Sequence, residues 1–468
     1  MHFQVFPASV YIERRRELKN KVGSGLILLM GNEETGMNYK DNTYHFRQDS
    51  TFLYYFGLDV AGLGAVIDAD SGDEIIFGNE LSMDDIVWTG ALPSIREMAV
   101  HVGIKNTKPY AELGKLIINQ SADGRRIHFL PPYRAENAIK IATWLQVPVS
   151  AVQTLKSVEL IKAIVSQRSI KDKFEVEAIE SAVSTSADMH FEAMHRAAPG
   201  MKEYELAAKV QQVAYTAGGS LSYPIILTVN GQVLHNHYHG NTMQDGQMVL
   251  VDAGAEQQMH YAGDLTRTFP VGRKFSTRQH EMYDVVLNAL ESATAMLKPG
   301  VKFIDIHAAA CEKLLQGLKS VGLVKGDPAE AVQAGAHTLF FQCGLGHMMG
   351  LDVHDMEDLG EEYVGYSEQL KKRTDFGWKS LRLGRELESG FVLTVEPGIY
   401  MIPELIDRWK AENKLPDFIN YEAVEQFRDF TGIRIENNFL VTDEGYHRLG
   451  KYLPDTAKEI ESIRDQYC

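Results

Sequence analysis

The chain is short of three things. It has only three cysteines in 468 residues, Cys311, Cys343 and Cys468; so few, odd in number and widely spaced, they argue against a disulfide framework and for a reducing compartment. No run approaches 18 apolar residues, and the start, MHFQVFPASVYIERRRELKNK, has no apolar leader core. Neither a membrane span nor a secretory signal is therefore expected. Positive charge is scarce as well: 47 Lys and Arg against 63 Asp and Glu give a formal net charge of −16. That balance argues against nucleic acid or an anionic membrane as partner. Together the absences point to a cytoplasmic protein.

What is present is ordinary for a globular protein, 44% hydrophobic and 24% charged, on a chain long enough for two or three domains. Residues 1–167 carry α/β character. A helical stretch at 8–21 is followed by strand signals at 24–31, 52–58, 64–78 and 125–132. DADSGD (68–73) faintly resembles the start of a calcium loop, but a turn joining AVID to EIIF is the stronger reading. The texture turns charged and helical across 157–182, which places a boundary at 167/168. Beyond it, 168–468 holds long helical patterns at 173–196, 202–217, 278–297 and 304–319.

This second stretch repeats itself. Pro199-Gly200 and Pro299-Gly300 each end one helix and precede another. Each copy then leads to a strand that ends in an acid: Gly246 six residues before Asp252 in GQMVLVDAG, and Gly390 six before Glu396 in GFVLTVEPG. A second acid follows each, Asp264 in GDLTRTFPV and Glu436 in GIRIENNFLV. Two helix–helix–strand–strand halves imply an α+β domain with approximate two-fold symmetry, its four acids converging where the halves meet. Because paired helices precede paired strands, the sheet is expected to be mostly antiparallel.

An ionised acid on a core strand is costly unless something positive meets it. Arg267 and Arg434 lie close in sequence and offer one answer, a structural salt bridge. A metal centre explains more, since a carboxylate set suits hard or borderline divalent ions and four acids carry charge enough for two. His347 and His354, in the glycine-rich GLGHMMGLDVHD, would add nitrogen. His235, His237 and His239 alternate, so on a strand they would share a face and form a rival chelate.

In order, VDAGAE, YAGDLTRTFP, GLGHMMGLDVHD, VLTVEPGIY and GIRIENN resemble the dinuclear metallopeptidases of the pita-bread (creatinase/aminopeptidase-type) fold, nearest to the aminopeptidase P and prolidase group that acts at Xaa-Pro bonds. Residues 1–167 resemble the smaller amino-terminal domain of that group, and 168–468 its catalytic domain. The resemblance implies two divalent ions, Mn²⁺ first with Co²⁺ or Zn²⁺ as alternatives. It makes Asp252 a ligand of one ion, Asp264 and Glu436 bridges, and His347 and Glu396 ligands of the other. Water held between the ions would supply hydroxide near neutral pH. Glu396 would orient that water and shuttle its proton, and His354 would steady the oxyanion. His235 would meet substrate near the proline nitrogen. Arg434 would orient the carboxylates, with Tyr400 as a weaker pocket residue.

The implied activity is removal of the first residue from peptides with proline second, by an Xaa-Pro aminopeptidase. An Xaa-Pro dipeptidase (prolidase) shares all five ligands. Creatinase-like hydrolases lack the full acid set, and a non-catalytic binding module of the fold would have lost ligands. One position departs from the group: Cys343 stands four before His347, where many relatives carry a histidine that shapes the proline-side pocket. Polar insertions at 361–386 and 403–427 are expected to rim the cleft, and Arg382 and Arg385 in the first could meet a substrate carboxylate. The resemblance also implies a homodimer or homotetramer in which a loop near Trp88 reaches a neighbouring site.

Overall fold

The computed structural model describes residues 5–467, so Cys468 lies outside the described residues. The chain divides into two compact units. One holds the residues up to Arg168 together with Met356–Tyr363; the other holds Ser169–Asp355 and the residues from Val364 on. Among the described residues no helix is long and apolar enough to cross a membrane.

The first unit is built on a five-stranded sheet in the order Asn106–Lys108, Glu74–Phe77, Gly64–Asp68, Leu26–Met30, Ile127–His128. The three central strands are antiparallel and the two outer ones join in parallel. LILLM is buried along nearly its whole length because helices cover it, which is why it shows no alternation. Leu26, Leu28, Val66 and Phe77 pack there with Leu113, Ile117 and Ile141 from two of those helices.

FLYYFGL is not a strand. It lies largely in the helix Ser50–Phe56, with Asp49 accepting from the Phe52 amide (2.8 Å) and Gly57 closing it at φ 61°. Every residue of that helix is buried, so its sequence carries no polar period of either kind. Only the capping residues mark it as helical. DADSGD forms the turn between Gly64–Asp68 and Glu74–Phe77, Asp68 accepting from the amides of Asp70 and Ser71.

The second unit is α+β. The helices Lys173–Arg196 and Glu203–Thr216 precede one set of strands, and Thr277–Thr294 with Phe303–Ser320 precede the other. Asp172 opens the first helix with a reciprocal cap to Glu175. Gly200 and Gly300, at φ 89° and 84°, follow the first helix of each pair. Met248–Asp252 pairs antiparallel with Thr266–Pro270 and with Ile226–Thr228. In the other half Val392–Val395 pairs antiparallel with Asn437–Val441, and Gly398–Tyr400 with Gly432–Arg434. A bridge between Thr266 and Glu436 joins the halves, so the acid-bearing ends of both sets meet. This is the pita-bread arrangement with its approximate two-fold symmetry.

Candidate metal centre

Asp252 ends a strand that is buried throughout, and Thr266 stands opposite it in register. Asp264 lies two residues before Thr266, its amide donating to Asn438 Oδ1 (3.0 Å). Glu436 directly precedes Asn437–Val441, and its Oε2 accepts from the Thr266 hydroxyl (2.7 Å). Glu396 follows Val392–Val395, and its amide donates to the Leu345 carbonyl (2.8 Å). That bond ties it to the segment carrying His347, whose own amide donates to the Thr394 hydroxyl (3.1 Å).

The side chains converge. His347 Nε2 lies 3.3 Å from Asp264 Oδ2 and 3.6 Å from Glu396 Oε1. Its Nδ1 faces the Met348 carbonyl at 3.0 Å, so donation there leaves Nε2 as the nitrogen for a cation. Suitable atoms of Asp264, His347 and Glu436 all lie within 4.8 Å of one another. The Tyr223 hydroxyl sits 2.6 Å from Asp252 Oδ1 and 2.5 Å from Asp264 Oδ1. Asp264 thus turns one oxygen toward the Tyr223 hydroxyl shared with Asp252 and the other toward His347.

The charges do not balance within the protein. Arg434 Nη2 donates to Asp252 Oδ2 at 2.5 Å, while its Nη1 donates to the Tyr400 hydroxyl (2.9 Å) and its Nε to Thr266 Oγ1 (3.2 Å). Arg267 joins no carboxylate: it is fully buried and spends its donors on the carbonyls of Thr266, Glu436, Leu453 and Pro454 and on Asn437 Oδ1. Arg434 therefore pairs with one of the four acids, Asp252. Burial first, and then the charge of Asp264, raises Glu436 well above the carboxylate range. Burial raises Glu396 to about 7, against the pull of His347 and Arg434. Burial pulls His347 down, but its hydrogen bond to Asp264 and the charge of Glu396 outweigh it and leave the pKa raised. An oxygen-rich, buried, over-negative cluster with one directed imidazole fits divalent cations.

These shifts set a pH dependence for metal-stripped protein. Glu396 titrates at about 7 folded but near 4.3 unfolded. Its protonated form stabilises the fold fully below about 4.3, and that contribution is lost as pH rises through about 7. Glu436 and His347 are also raised, so they act with the same sign. The unfolding free energy of stripped protein should therefore fall between about pH 4.5 and 7.5, by on the order of a few kcal/mol, and added Mn²⁺ should flatten the slope. Melting curves taken across that window test this; a stripped protein whose stability held or rose would contradict the charge imbalance.

The eight residues expected at the site, Asp252, Asp264, His347, Glu396, Glu436, His235, His354 and Arg434, all line one cavity. At about 170 Å³ it far exceeds the room of a single water. His354 packs against His347 with ring centroids 4.3 Å apart. Cys343 lines the wall, with Sγ 3.9 Å from the Tyr400 hydroxyl, and burial pushes its thiol up to about 12. That is the state of an inert thiol rather than a nucleophile. Ser380 and Arg382 bring the 361–386 insertion to the cavity. Arg385 instead pairs with Glu388, and 403–427 contributes nothing to the lining.

His235, His237 and His239 form no chelate. They lie on a turn and irregular chain rather than a strand, and His239 Nε2 is 3.1 Å from the Ile225 carbonyl. Four residues of the site escaped the sequence reading: Tyr223, Thr266, Thr394 and Asn438. Three of these sit two residues from an acid, Thr266 after Asp264, Thr394 before Glu396 and Asn438 after Glu436, so an alternation rule could have found them. Tyr223, 29 residues before Asp252, gave no such signal.

Two family models match the chain: metallopeptidase family M24 over residues 177–443, and the aminopeptidase P N-terminal domain over 11–128. The human Xaa-Pro dipeptidase is 32% identical over 460 residues, covering 96% of this chain and 90% of its own. A probable Xaa-Pro aminopeptidase of Uncinocarpus reesii is 30% identical, covering 98% and 95%. Among solved structures, aminopeptidase P of Escherichia coli with the inhibitor Pro-Leu superposes with a TM-score of 0.81 at 27% identity, covering 99% of both chains.

Proposed function

The chain belongs to metallopeptidase family M24, and from that premise we propose that it is an Xaa-Pro aminopeptidase, releasing the first residue of peptides whose second is proline. The observation that carries the reading is the convergence of Asp252, Asp264, His347, Glu396 and Glu436 on one cavity. Those five would hold two divalent ions, Mn²⁺ first. When bound, such ions lower the pKa of water and polarise the scissile carbonyl.

The chain's own groups supply the rest. Glu396, half-buried beside Thr394 and His347, takes the proton of the attacking water and passes it to the leaving nitrogen. His354 donates to the developing oxyanion. His235 meets the substrate on the proline side, and Arg434 holds Asp252 in place. The ring of Trp88, 87% exposed on the helix Met83–Thr89, fits a role at a partner in a homodimer or homotetramer.

One observation favours the dipeptidase alternative: Arg382 reaches the cavity, where it would pair with the free carboxylate of an Xaa-Pro dipeptide. Hydrolysis of matched Xaa-Pro and Xaa-Pro-Xaa peptides by metal-stripped enzyme, with and without Mn²⁺, separates the two. The proposed activity gives metal-dependent cleavage with the longer peptide as the better substrate. In that case Arg382→Met leaves its turnover within about twofold, since a lost rim charge matters little. Preference for the dipeptide, with a KM raised about tenfold or more in Arg382→Met, would make the protein a dipeptidase.

A further inference from the structure

Away from the carboxylate cavity, three other side chains of metal-binding type come together. His307 and Cys311 lie four residues apart on the helix Phe303–Ser320, and therefore on one face. His337 stands on the short turn Ala336–Leu339. All three are buried, at 0%, 0% and 1% exposure, and suitable atoms of the three lie within 4.8 Å of one another. Cys311 Sγ is 3.6 Å from His307 Nε2.

Packing alone explains the cluster poorly. His307 Nδ1 and both ring nitrogens of His337 have no hydrogen-bond partner. An imidazole carries at least one N–H, and each buried polar group left unpaired costs about 1–3 kcal/mol. The rings meet Trp378 edge-on, centroids 4.8 Å from His307 and 5.7 Å from His337, and Phe341 lies 5.7 Å from His307. Apolar side chains would fill the same space without that cost. Burial holds His307 down at about 3 and His337 at about 4, so both rings are neutral and keep a lone pair to offer.

We propose that His307, Cys311 and His337 form a second metal site, distinct from the carboxylate centre, that takes one soft monovalent ion of the Cu⁺ type. Thiolate and imidazole donors select soft ions, whereas an oxygen-rich centre selects hard ones, so the two sites sort their metals. On binding, Cys311 releases its thiol proton to solvent. One Cu⁺, one thiolate and two neutral imidazoles then sum to zero charge in a three-coordinate site. Zn²⁺ on the same donors would carry one net positive charge and lack the fourth ligand it prefers, an expensive state in a buried place. The Arg373 guanidinium, 4.0 Å over the Trp378 ring, raises that expense.

The site would brace the cavity from behind. His337 lies three residues before Phe340, whose carbonyl accepts from the Tyr400 amide (2.8 Å), and six before Cys343 in the wall. Trp378 lies two before Ser380, also in the wall. A bound ion would pin the helix Phe303–Ser320 to the segment that carries His347.

The test is anaerobic titration of the full, Mn²⁺-loaded chain with Cu⁺ against a competing Cu⁺ chelator. One equivalent of Cu⁺ should be retained, with near-ultraviolet thiolate-to-copper absorption, a raised melting temperature and unchanged Mn²⁺ content. Cys311→Ser and His337→Gln should each lose that equivalent while still hydrolysing peptide, whereas the double variant Cys343→Ser, Cys468→Ser should keep it. The proposal is overturned if wild type retains no Cu⁺, if His337→Gln retains it undiminished, or if only the Cys343/Cys468 variant loses it. Should Cys311→Ser fail to fold, His337→Gln and the double variant still decide. Uptake of Zn²⁺ with exclusion of Cu⁺ would overturn the assignment of the ion.

Discussion

Asp264→Ala should remove metal and activity together. Asp264 stands at the middle of the centre: Oδ1 meets the Tyr223 hydroxyl that also reaches Asp252, Oδ2 lies 3.3 Å from His347 Nε2, and Glu436 is within 4.8 Å. No neighbouring group can take both positions, because Asp252 is held by Arg434 and Glu436 by Thr266. Losing an outer-shell partner typically costs 10–100-fold, and a single oxyanion donor up to about a thousandfold. If Asp264 is a metal ligand as proposed, its loss should therefore cost at least about a thousandfold in turnover. The fold should survive, since the backbone of residue 264 is anchored through Asn438, which bonds both its amide and its carbonyl. Stripped Asp264→Ala should even melt no lower than stripped wild type, because Asp264 is one of the charges that raises Glu436. Metal content by elemental analysis and turnover by peptide hydrolysis are the two readouts. Turnover retained with no bound metal would end the dinuclear reading.

The acids were legible because they break a rule. MVLVD and FVLTVE place carboxylates on runs whose remaining residues are buried and, Thr394 apart, apolar, and nothing in strand packing asks for them. The repeat was legible for a related reason: helix ends at Pro199-Gly200 and Pro299-Gly300 are set by local backbone chemistry that survives in sequence. FLYYFGL was misread because a wholly buried helix has no polar face to give it a period. Histidine alternation carried no weight as a rival signal, since 235–239 is not a strand and alternation there has no facial meaning. Arg267 looked like a partner for the acids, but a five-donor guanidinium is equally satisfied by carbonyls, and only the fold brings Leu453 and Pro454 to it. Tyr223 was invisible because its partners are 29 and 41 residues away, and no motif of its own marks it.

Arg434→Met should be the most destabilising single change at the centre that leaves all five assigned ligands intact. Its guanidinium is buried and holds Asp252, Tyr400 and Thr266 at once. Methionine fills much of the volume but leaves Asp252, which faces Glu396 and Glu436, without its guanidinium partner, and leaves the Tyr400 hydroxyl without the Arg434 donor. Breaking a buried pair from one side costs about 3–5 kcal/mol. In stripped protein the melting temperature should fall accordingly. Mn²⁺ should recover part of the loss, because an ion at Asp252 replaces the missing positive charge. Turnover of the loaded variant should drop about 10–100-fold, the usual effect of losing a group that orients a ligand. Arg434→Lys separates charge from geometry: it keeps one positive group but cannot reach Asp252, Tyr400 and Thr266 together. If lysine restores stability and not turnover, orientation of Asp252 is the catalytic contribution. If stripped Arg434→Met melts with wild type, the buried Arg434–Asp252 pair does not hold the folded centre together, and the role given to Arg434 is wrong.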